Sequence, residues 1–307
     1  MNTKPKIVIG IAAYNAERNI GQLLNALISQ DGFNSEIQKI VVHSDNSSDD
    51  TVKITKGFSD SRIHIIDNKD RSGFAGSFKN ILSRAGNCDA VLVLNDDITI
   101  SDKNFVDKMS TLLLKSNNIG LITGNPVPFP GTNFVQKAVI SGFNAYYRMR
   151  YEINNGNNKW TCDGKVLLLT KAFLNKIIWP KNNNDLGNVD AYMYFSCLSN
   201  NIIYEHIKEA KVYFKTPSTV SDYIKWNARN NSNKFLLLKT FGDLVQKEYL
   251  IPWRIKYRYM ILESIKNPFG AIFLYTIKLY TAVKARQIAK NFDSKWEVVE
   301  TTKEMEK

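Results

Sequence analysis

Four short polar segments in the first third of the chain each sit at the end of an apolar run or the start of an amphipathic one. They are Ala13-Tyr14-Asn15-Ala16-Glu17, Ser44-Asp45-Asn46-Ser47-Ser48-Asp49-Asp50-Thr51, Arg71-Ser72-Gly73 and Asn95-Asp96-Asp97. Asp97, with Asp96 or Asn95 beside it, offers hard oxygen donors of the kind that hold a divalent cation. Arg71 is a fixed cation suited to anionic oxygens. Taken singly, each segment is ordinary turn and cap chemistry. Their shared placement is what points to a site.

The elements around these segments alternate. Ile7–Ala13, Ile37–His43, Arg62–Ile66, Ala90–Leu94 and Ile119–Thr123 read as short apolar strands. Between them, Glu17–Ser29, Asp49–Gly57, Gly73–Ala85 and Asp102–Leu114 carry helical spacing, with Ile20, Leu23, Leu24, Leu27 and Ile28 on one face of the first. Wholly apolar strands alternating with helices predict an α/β fold with a mostly parallel, Rossmann-like sheet covered on both faces. In such sheets ligands bind beyond the carboxyl ends of the strands, where all four polar segments would converge.

The pattern loosens after Gly124. Asn125–Thr132 holds three prolines and is expected to be a loop. Phe134–Tyr151 and Val189–Ser199 read as helices, and Val166–Thr170 and Ile202–Tyr204 as short strands. From Ser218 to about residue 290 the reading is helical, broken near Pro252 and Pro268, and the last dozen polar residues are expected to fray. The expected organisation is a catalytic domain over residues 1–232 (a ligand-binding half, 1–124, and a second half, 125–232) with a helical basic extension over 233–307.

Composition narrows the class. With 307 residues and 44% of them hydrophobic, the chain can bury a full core without disulfides or a structural metal. Three cysteines and no CxxC pair argue against a zinc module or a secreted disulfide framework, favouring a reducing, cytoplasmic setting. No signal peptide is read at the start of the sequence. The net charge of +12 is uneven: residues 246–295 hold ten Lys/Arg against three Asp/Glu, a local net of +7. That stretch interleaves its charges with Trp253, Tyr257, Tyr259, Phe269, Phe273, Tyr275 and Tyr280. Two readings stand side by side: a helix pair packed on the catalytic domain, or one touching an anionic membrane surface.

As an ordered set, the four polar segments resemble those of the family 2 glycosyltransferases, nucleotide-sugar enzymes with the GT-A fold. The family's Tyr-Asn-Glu turn, Asp-Asp-Gly-Ser-x-Asp-x-Thr loop, Arg-x-Gly-Lys segment and DxD element have counterparts here in Tyr14-Asn15, Ser44–Thr51, Arg71-Ser72-Gly73-Phe74 and Asn95-Asp96-Asp97. Ser44, Phe74 and Asn95 depart from that pattern. The resemblance spans about residues 5–230. It implies a nucleotide diphosphate sugar donor held by Ala13, Tyr14, Asn15, Asp45, Arg71, Gly73, Asn95, Asp96 and Arg229. It also implies Mg²⁺ or Mn²⁺ on Asp97, and a glycan or lipid-linked acceptor. Cys162-Asp163-Gly164-Lys165 is similar to the family's Gly-rich acceptor-side strand. Asn188-Val189-Asp190 is similar to its helix-start acid, making Asp190 the expected catalytic base of an inverting transfer, with Asp185 and Asp163 as weaker candidates. Arg229 falls on the Arg of the Gln-x-x-Arg-Trp stretch of processive relatives, although Trp226 and Asn230 replace the Gln and Trp.

Other classes are less well served. A sugar nucleotidyltransferase would carry a Gly-rich, Arg-containing loop where this chain reads Ala12-Ala13-Tyr14-Asn15-Ala16. A dinucleotide dehydrogenase would need GxGxxG there. A basic membrane- or nucleic-acid-binding module without catalysis is the remaining alternative, but no nucleic-acid motif accompanies the charge, and no nucleic-acid partner is expected.

Overall fold

Short apolar runs become strands because both of their faces are buried. In the computed structural model, which describes residues 4–116, 118–290, 295 and 299–303, seven strands form one sheet in the order β3-β2-β1-β4-β6-β5-β7. Along the chain these are β1 (Lys6–Ala13), β2 (Glu36–Asp45), β3 (Ile63–Asn68), β4 (Ala90–Asn95), β5 (Ile119–Pro128), β6 (Val166–Thr170) and β7 (Ile203–Phe214). The helices are α1 (Ile20–Ile28), α2 (Thr51–Lys56), α3 (Gly73–Ser83), α4 (Phe105–Ser110), α5 (Phe134–Glu152), α6 (Lys171–Leu174), α7 (Val189–Ser199), α8 (Val220–Phe241), α9 (Asp243–Glu248), α10 (Trp253–Lys266) and α11 (Pro268–Lys290).

Strand alternation divides the interior into two cores. Ile7, Ile9 and Ile11 of β1 join Ile40, Val42, Leu92, Leu94 and Leu168 on one face. Val8 joins Val41, Val91, Val93, Leu167 and Leu169 on the other, with Phe78 of α3 and the largely buried α7. Gly10 lies on this second face, where a Cβ would come within 2.1 Å of Ile81 Cγ2. Its missing side chain lets α3 press directly against β1.

Strands β1, β2, β3 and β4 pair in parallel, and β5 pairs with β7 in parallel. Strand β6 is antiparallel to both β4 and β5. Because β1 is flanked by β2 on one side and β4 on the other, the strand order reverses at β1, and the crevice beyond its carboxyl end is a ligand position. The reversed β6 brings its amino end, not its carboxyl end, to that crevice: Val166 faces Leu94, and Asn95 N–H donates to the Lys165 carbonyl at 3.2 Å.

Two expectations are corrected. The segment read as a loop at Asn125–Thr132 is strand as far as Pro128. Its β6 partner stops at Thr123, whereas Asn125–Pro128 pair only with β7, so Pro126 and Pro128 sit where one side of the strand carries no ladder. Strand β7 runs well beyond Tyr204, to Phe214; it is a sheet edge, and its exposed Glu209 and Lys211 alternate with buried Ala210 and Val212.

The helices after residue 218 pack back on the domain. Helix α11 lies against α5 and α8, and α10 against α5. Leu274, Ala138, Val139 and Tyr223 form a small core of their own there. The breaks come at Gly242, with φ of +51°, and next to Pro252 and Pro268. Ser232 and Asn233, either side of the expected boundary of the extension, are both buried within α8. Among the described residues, no helix is long and apolar enough to cross a membrane.

Candidate active site

The carboxyl ends of β1, β2 and β4 are laced together before any ligand is considered. Asn15 adopts left-handed backbone geometry (φ 49°) and uses its side chain to accept the Ser48 N–H at 2.9 Å, while its own N–H donates to Ser47 Oγ at 3.1 Å. Thr51 Oγ1 accepts the Ala16 N–H at 2.7 Å, and Asp49 accepts the Glu17 N–H at 2.9 Å. The buried Asn19 amide donates to the carbonyls of Asp96 (2.5 Å) and Ile98 (2.8 Å), locking the start of α1 to the end of β4. These contacts make the turns a rigid rim.

A cleft of about 160 Å³ opens on that rim. Of the residues expected at the site, Ala13, Tyr14, Asp45, Arg71, Gly73, Asn95, Asp96, Asp97 and Arg229 line it. Asn15 does not; its side chain is spent on the loop after β2. Asp45 is buried and serves the scaffold as well as the cleft. Its Oδ1 accepts from Ser72 N–H and Ser72 Oγ, both at 2.7 Å, and its Oδ2 from Gly73 N–H at 2.8 Å. The Arg71 guanidinium stacks on the Tyr14 ring, 4.1 Å from its centroid.

The acidic centre lies at the end of β4. Asp96 Oδ2 accepts the Tyr14 N–H at 2.8 Å. Burial pushes its pKa up, with the Lys303 ammonium opposing and the neighbouring Asp97 reinforcing that shift. Asp97 Oδ2 meets Lys165 Nζ at 3.5 Å, while its Oδ1 is buried with no hydrogen-bond partner among the described residues. Asn95 Oδ1 is also buried and unpartnered. Two unsatisfied oxygens beside one carboxylate fit a divalent ion that takes its remaining ligands from phosphate and water. The described residues contain no group of three or more His, Cys, Asp or Glu able to hold a metal alone.

Asp190 lies outside that lining, on the first turn of α7. Gly187, at φ +59°, turns the chain into this helix, and a Cβ there would come within 2.3 Å of Asn233 Oδ1. Gly164 lies on the other side, where a Cβ would make only ordinary van der Waals contact with Asp190 Cβ, at 3.6 Å. Burial lifts the Asp190 pKa to about 6; Asp163 adds to the rise, and Lys159 and backbone N–H groups oppose it. Arg229 connects the two acidic groups: burial lowers its pKa, and the fields of Asp97, Asp190 and Asp163 hold it up. Asp185 begins no comparable cluster; it lies in a short turn before Gly187.

Several lining residues escaped the sequence reading. Lys165 was visible only as part of a Gly-containing strand start, and its pairing with Asp97 depends on the reversal of β6. Phe214, Lys215 and Pro217 arrive from the unexpected length of β7. Val299, Thr302 and Lys303 come from the stretch expected to fray. Residues 296–298 and 304–307 of that stretch lie outside the described residues.

A mostly parallel sheet whose order reverses beside an acidic strand end, with one antiparallel strand completing the crevice, is the nucleotide-sugar-binding GT-A architecture. Residues 8–178 match the model of Glycosyl transferase family 2, and the chain belongs to that family. A curated relative, the Escherichia coli UDP-Glc:alpha-D-GlcNAc-diphosphoundecaprenol beta-1,3-glucosyltransferase WfgD, is 28% identical over 244 residues, covering 78% of this chain and 87% of that protein. Among solved structures, the mannosyltransferase PcManGT of Pyrobaculum calidifontis, in complex with GDP-Man and Mn²⁺, superposes with a TM-score of 0.57 at 13% identity. The match covers 94% of this chain and 80% of that one. Glucosyl-3-phosphoglycerate synthase of Mycobacterium tuberculosis, with Mn²⁺, UDP and phosphoglyceric acid, gives 0.54 at 15% identity, covering 78% and 79%. At such identities the structural matches establish the fold. The chain is a glycosyltransferase.

Proposed function

We propose that this enzyme transfers a sugar, with inversion, from a nucleotide diphosphate sugar to a sugar hydroxyl on a lipid-linked diphosphate carrier, assisted by Mg²⁺ or Mn²⁺. The observation that carries the proposal is the pairing of two unlike carboxylates around Arg229. Asp97 presents an unpartnered oxygen in the donor cleft, and Asp190, outside that cleft, has a pKa lifted to about 6. An unpartnered carboxylate oxygen in the cleft suits a ligand-holding role, and a carboxyl of raised pKa outside it suits a proton-accepting one.

In the proposed reaction the acceptor oxygen attacks the anomeric carbon opposite the diphosphate. The bond from that carbon to the diphosphate oxygen breaks, and the hydroxyl proton passes to Asp190. Asp190 is ionised near neutrality yet basic enough to take the proton. Arg71, held against Tyr14, meets diphosphate oxygens, and Asp45 and Gly73 shape the nucleoside end of the cleft. Asp97, with Asn95 or Asp96, would hold the divalent ion, whose charge offsets that of the departing diphosphate.

A lipid-linked acceptor is favoured by two features. The E. coli relative is named for a diphosphoundecaprenol-linked substrate. Helices α10 and α11 expose Ile261, Ile265, Phe269, Ile272, Leu279 and Val283, and along the same helices the basic residues Arg254, Lys256 and Lys284. Exposed apolar side chains interspersed with cations suit the surface of an anionic bilayer. Incubating the protein with candidate nucleotide sugars and a synthetic sugar-diphospholipid, with and without Mn²⁺, tests the proposal. It expects a β-linked product from an α-linked donor and activity lost on chelation; retention of configuration would refute it.

A further inference from the structure

The segment Val299–Lys303 returns to the cleft from the far end of the chain. Val299 is buried, and with Thr302 and Lys303 it forms one wall of the cavity. Thr301 anchors the segment to the start of α8. Its N–H and hydroxyl both donate to Asp222 Oδ2, at 3.1 and 2.7 Å, and its hydroxyl oxygen accepts the Ser218 N–H at 3.1 Å. Helix α8 is also the element that carries Trp226 and Arg229 to the same cavity.

This anchoring delivers a cation. Lys303 Nζ donates to Asp96 Oδ2 at 2.9 Å and to the Tyr14 carbonyl, and it lies 5.5 Å from the Tyr14 ring centroid. Arg71 is 4.1 Å from the centroid of the same ring. Tyr14 therefore carries two cations at the end of β1, one from the start of the fold and one from the last described residue. A diphosphate approaching this edge would otherwise face the adjacent carboxylates Asp96 and Asp97, a costly meeting of like charges. Lysine's four-carbon stem is flexible, so an ammonium resting on Asp96 can reach a phosphate oxygen while Thr301 stays fixed.

We propose that Lys303 is a diphosphate-binding residue of the donor site and that Val299–Lys303 is a wall of that site. The proposal rests on the nucleotide-sugar reading above and adds a residue outside the matched stretch 8–178. The experiment is isothermal titration of the full chain with UDP, GDP and dTDP and with the corresponding nucleosides, in Mn²⁺. Wild-type protein that binds none of the diphosphates would overturn the nucleotide-sugar reading itself. Where a diphosphate binds, Lys303→Met should weaken it by about tenfold or more, the loss of one charge-assisted contact, with nucleoside affinity unchanged. Lys303→Arg should retain most of the affinity, and deletion of residues 299–307 should lose at least as much as Lys303→Met. Equal diphosphate affinity in wild type and Lys303→Met, an equal loss for diphosphate and nucleoside, or tighter binding by the variant would each overturn the assignment. The last result would make the lysine a competitor of the ligand.

Discussion

Asp45 Oδ2 accepts the Gly73 backbone N–H at 2.8 Å, tying the end of β2 to the first residue of α3. Ser72 adds its N–H and hydroxyl to the other oxygen. Asp45→Ala should therefore loosen the Arg71–Gly73 turn as well as remove a polar group from the cleft. Hydrogen bonds to a charged group are worth about 1.5–3 kcal/mol. Calorimetry should show nucleotide affinity reduced by an amount of this order, with a lower Tm. Wild-type values of both would leave Asp45 without either role.

Asp97→Ala removes the buried carboxylate oxygen that has no hydrogen-bond partner. Transfer should fall to background, and the gain in nucleotide affinity on adding Mn²⁺ should vanish while the far-UV circular dichroism is retained. Undiminished turnover would separate Asp97 from the metal.

On the proposed mechanism, Asp190 links activity to pH. Its carboxyl titrates at about 6, and only the ionised form can accept the acceptor's proton. The acid limb of kcat/KM should therefore fall as pH drops through about 6, rather than near 4 where an ordinary aspartate titrates. Asp190→Asn should cut kcat by about 10²–10⁴-fold and leave nucleotide affinity intact. A variant with near-normal kcat would remove Asp190 as the base.

The same shift predicts a stability gain in that variant. A carboxyl with a raised pKa in the folded state binds more protons folded than unfolded between the two values. Stability therefore declines as pH rises through that interval and stays lower above it. A neutral Asn avoids the penalty, so Asp190→Asn should be more stable at pH 7 than wild type by about 1–2 kcal/mol after solvent screening, and lose that advantage at pH 4. Denaturant melts at the two pH values measure it; a variant less stable at both would contradict the burial cause.

For the helices, Ile265→Glu with Phe269→Glu changes two strongly exposed apolar residues that lie close to the α10–α11 junction. Sedimentation with anionic vesicles should fall while transfer to a short, water-soluble acceptor persists. Wild-type binding should also weaken as salt rises from 0.1 M, where the screening length is about 10 Å. Equal sedimentation with neutral and anionic vesicles would refute an electrostatic membrane contact.

What the sequence disclosed follows the range of the forces involved. The apolar runs from Ile7 to Thr123 and the polar turns after them are local, and both the mostly parallel sheet and the lining by Tyr14, Asp45, Arg71 and Asp97 follow from them. Pro126 and Pro128 misled because a proline is excluded only where a ladder needs its N–H, and β6 ends before reaching them. Lys165 was hidden because its meeting with Asp97 depends on the direction of β6, a choice made by the whole sheet. Lys303 was hidden by distance: no local pattern marks a tail whose partners, Asp96 and Asp222, belong to other parts of the chain. Asn15 was legible as a motif residue but not in its task, since its left-handed turn directs the side chain to Ser48.

The reversal of β6 has an engineering consequence. The stretch between Glu152 and Val166 leaves α5 and enters the sheet at the crevice edge, so both of its ends are held by packed elements. The motifs at the ends of β1, β2 and β4 belong to a separate run of chain. On the proposed reading, donor choice and acceptor choice are then coupled through residues 153–165: Lys165 pairs with Asp97 in the donor cleft and Lys159 opposes the rise of the Asp190 pKa, so exchanging this stretch between family members would alter both. Hybrids built at those two joints should fold, whereas hybrids joined within β1 or β4 would shift the alternation that feeds both interiors.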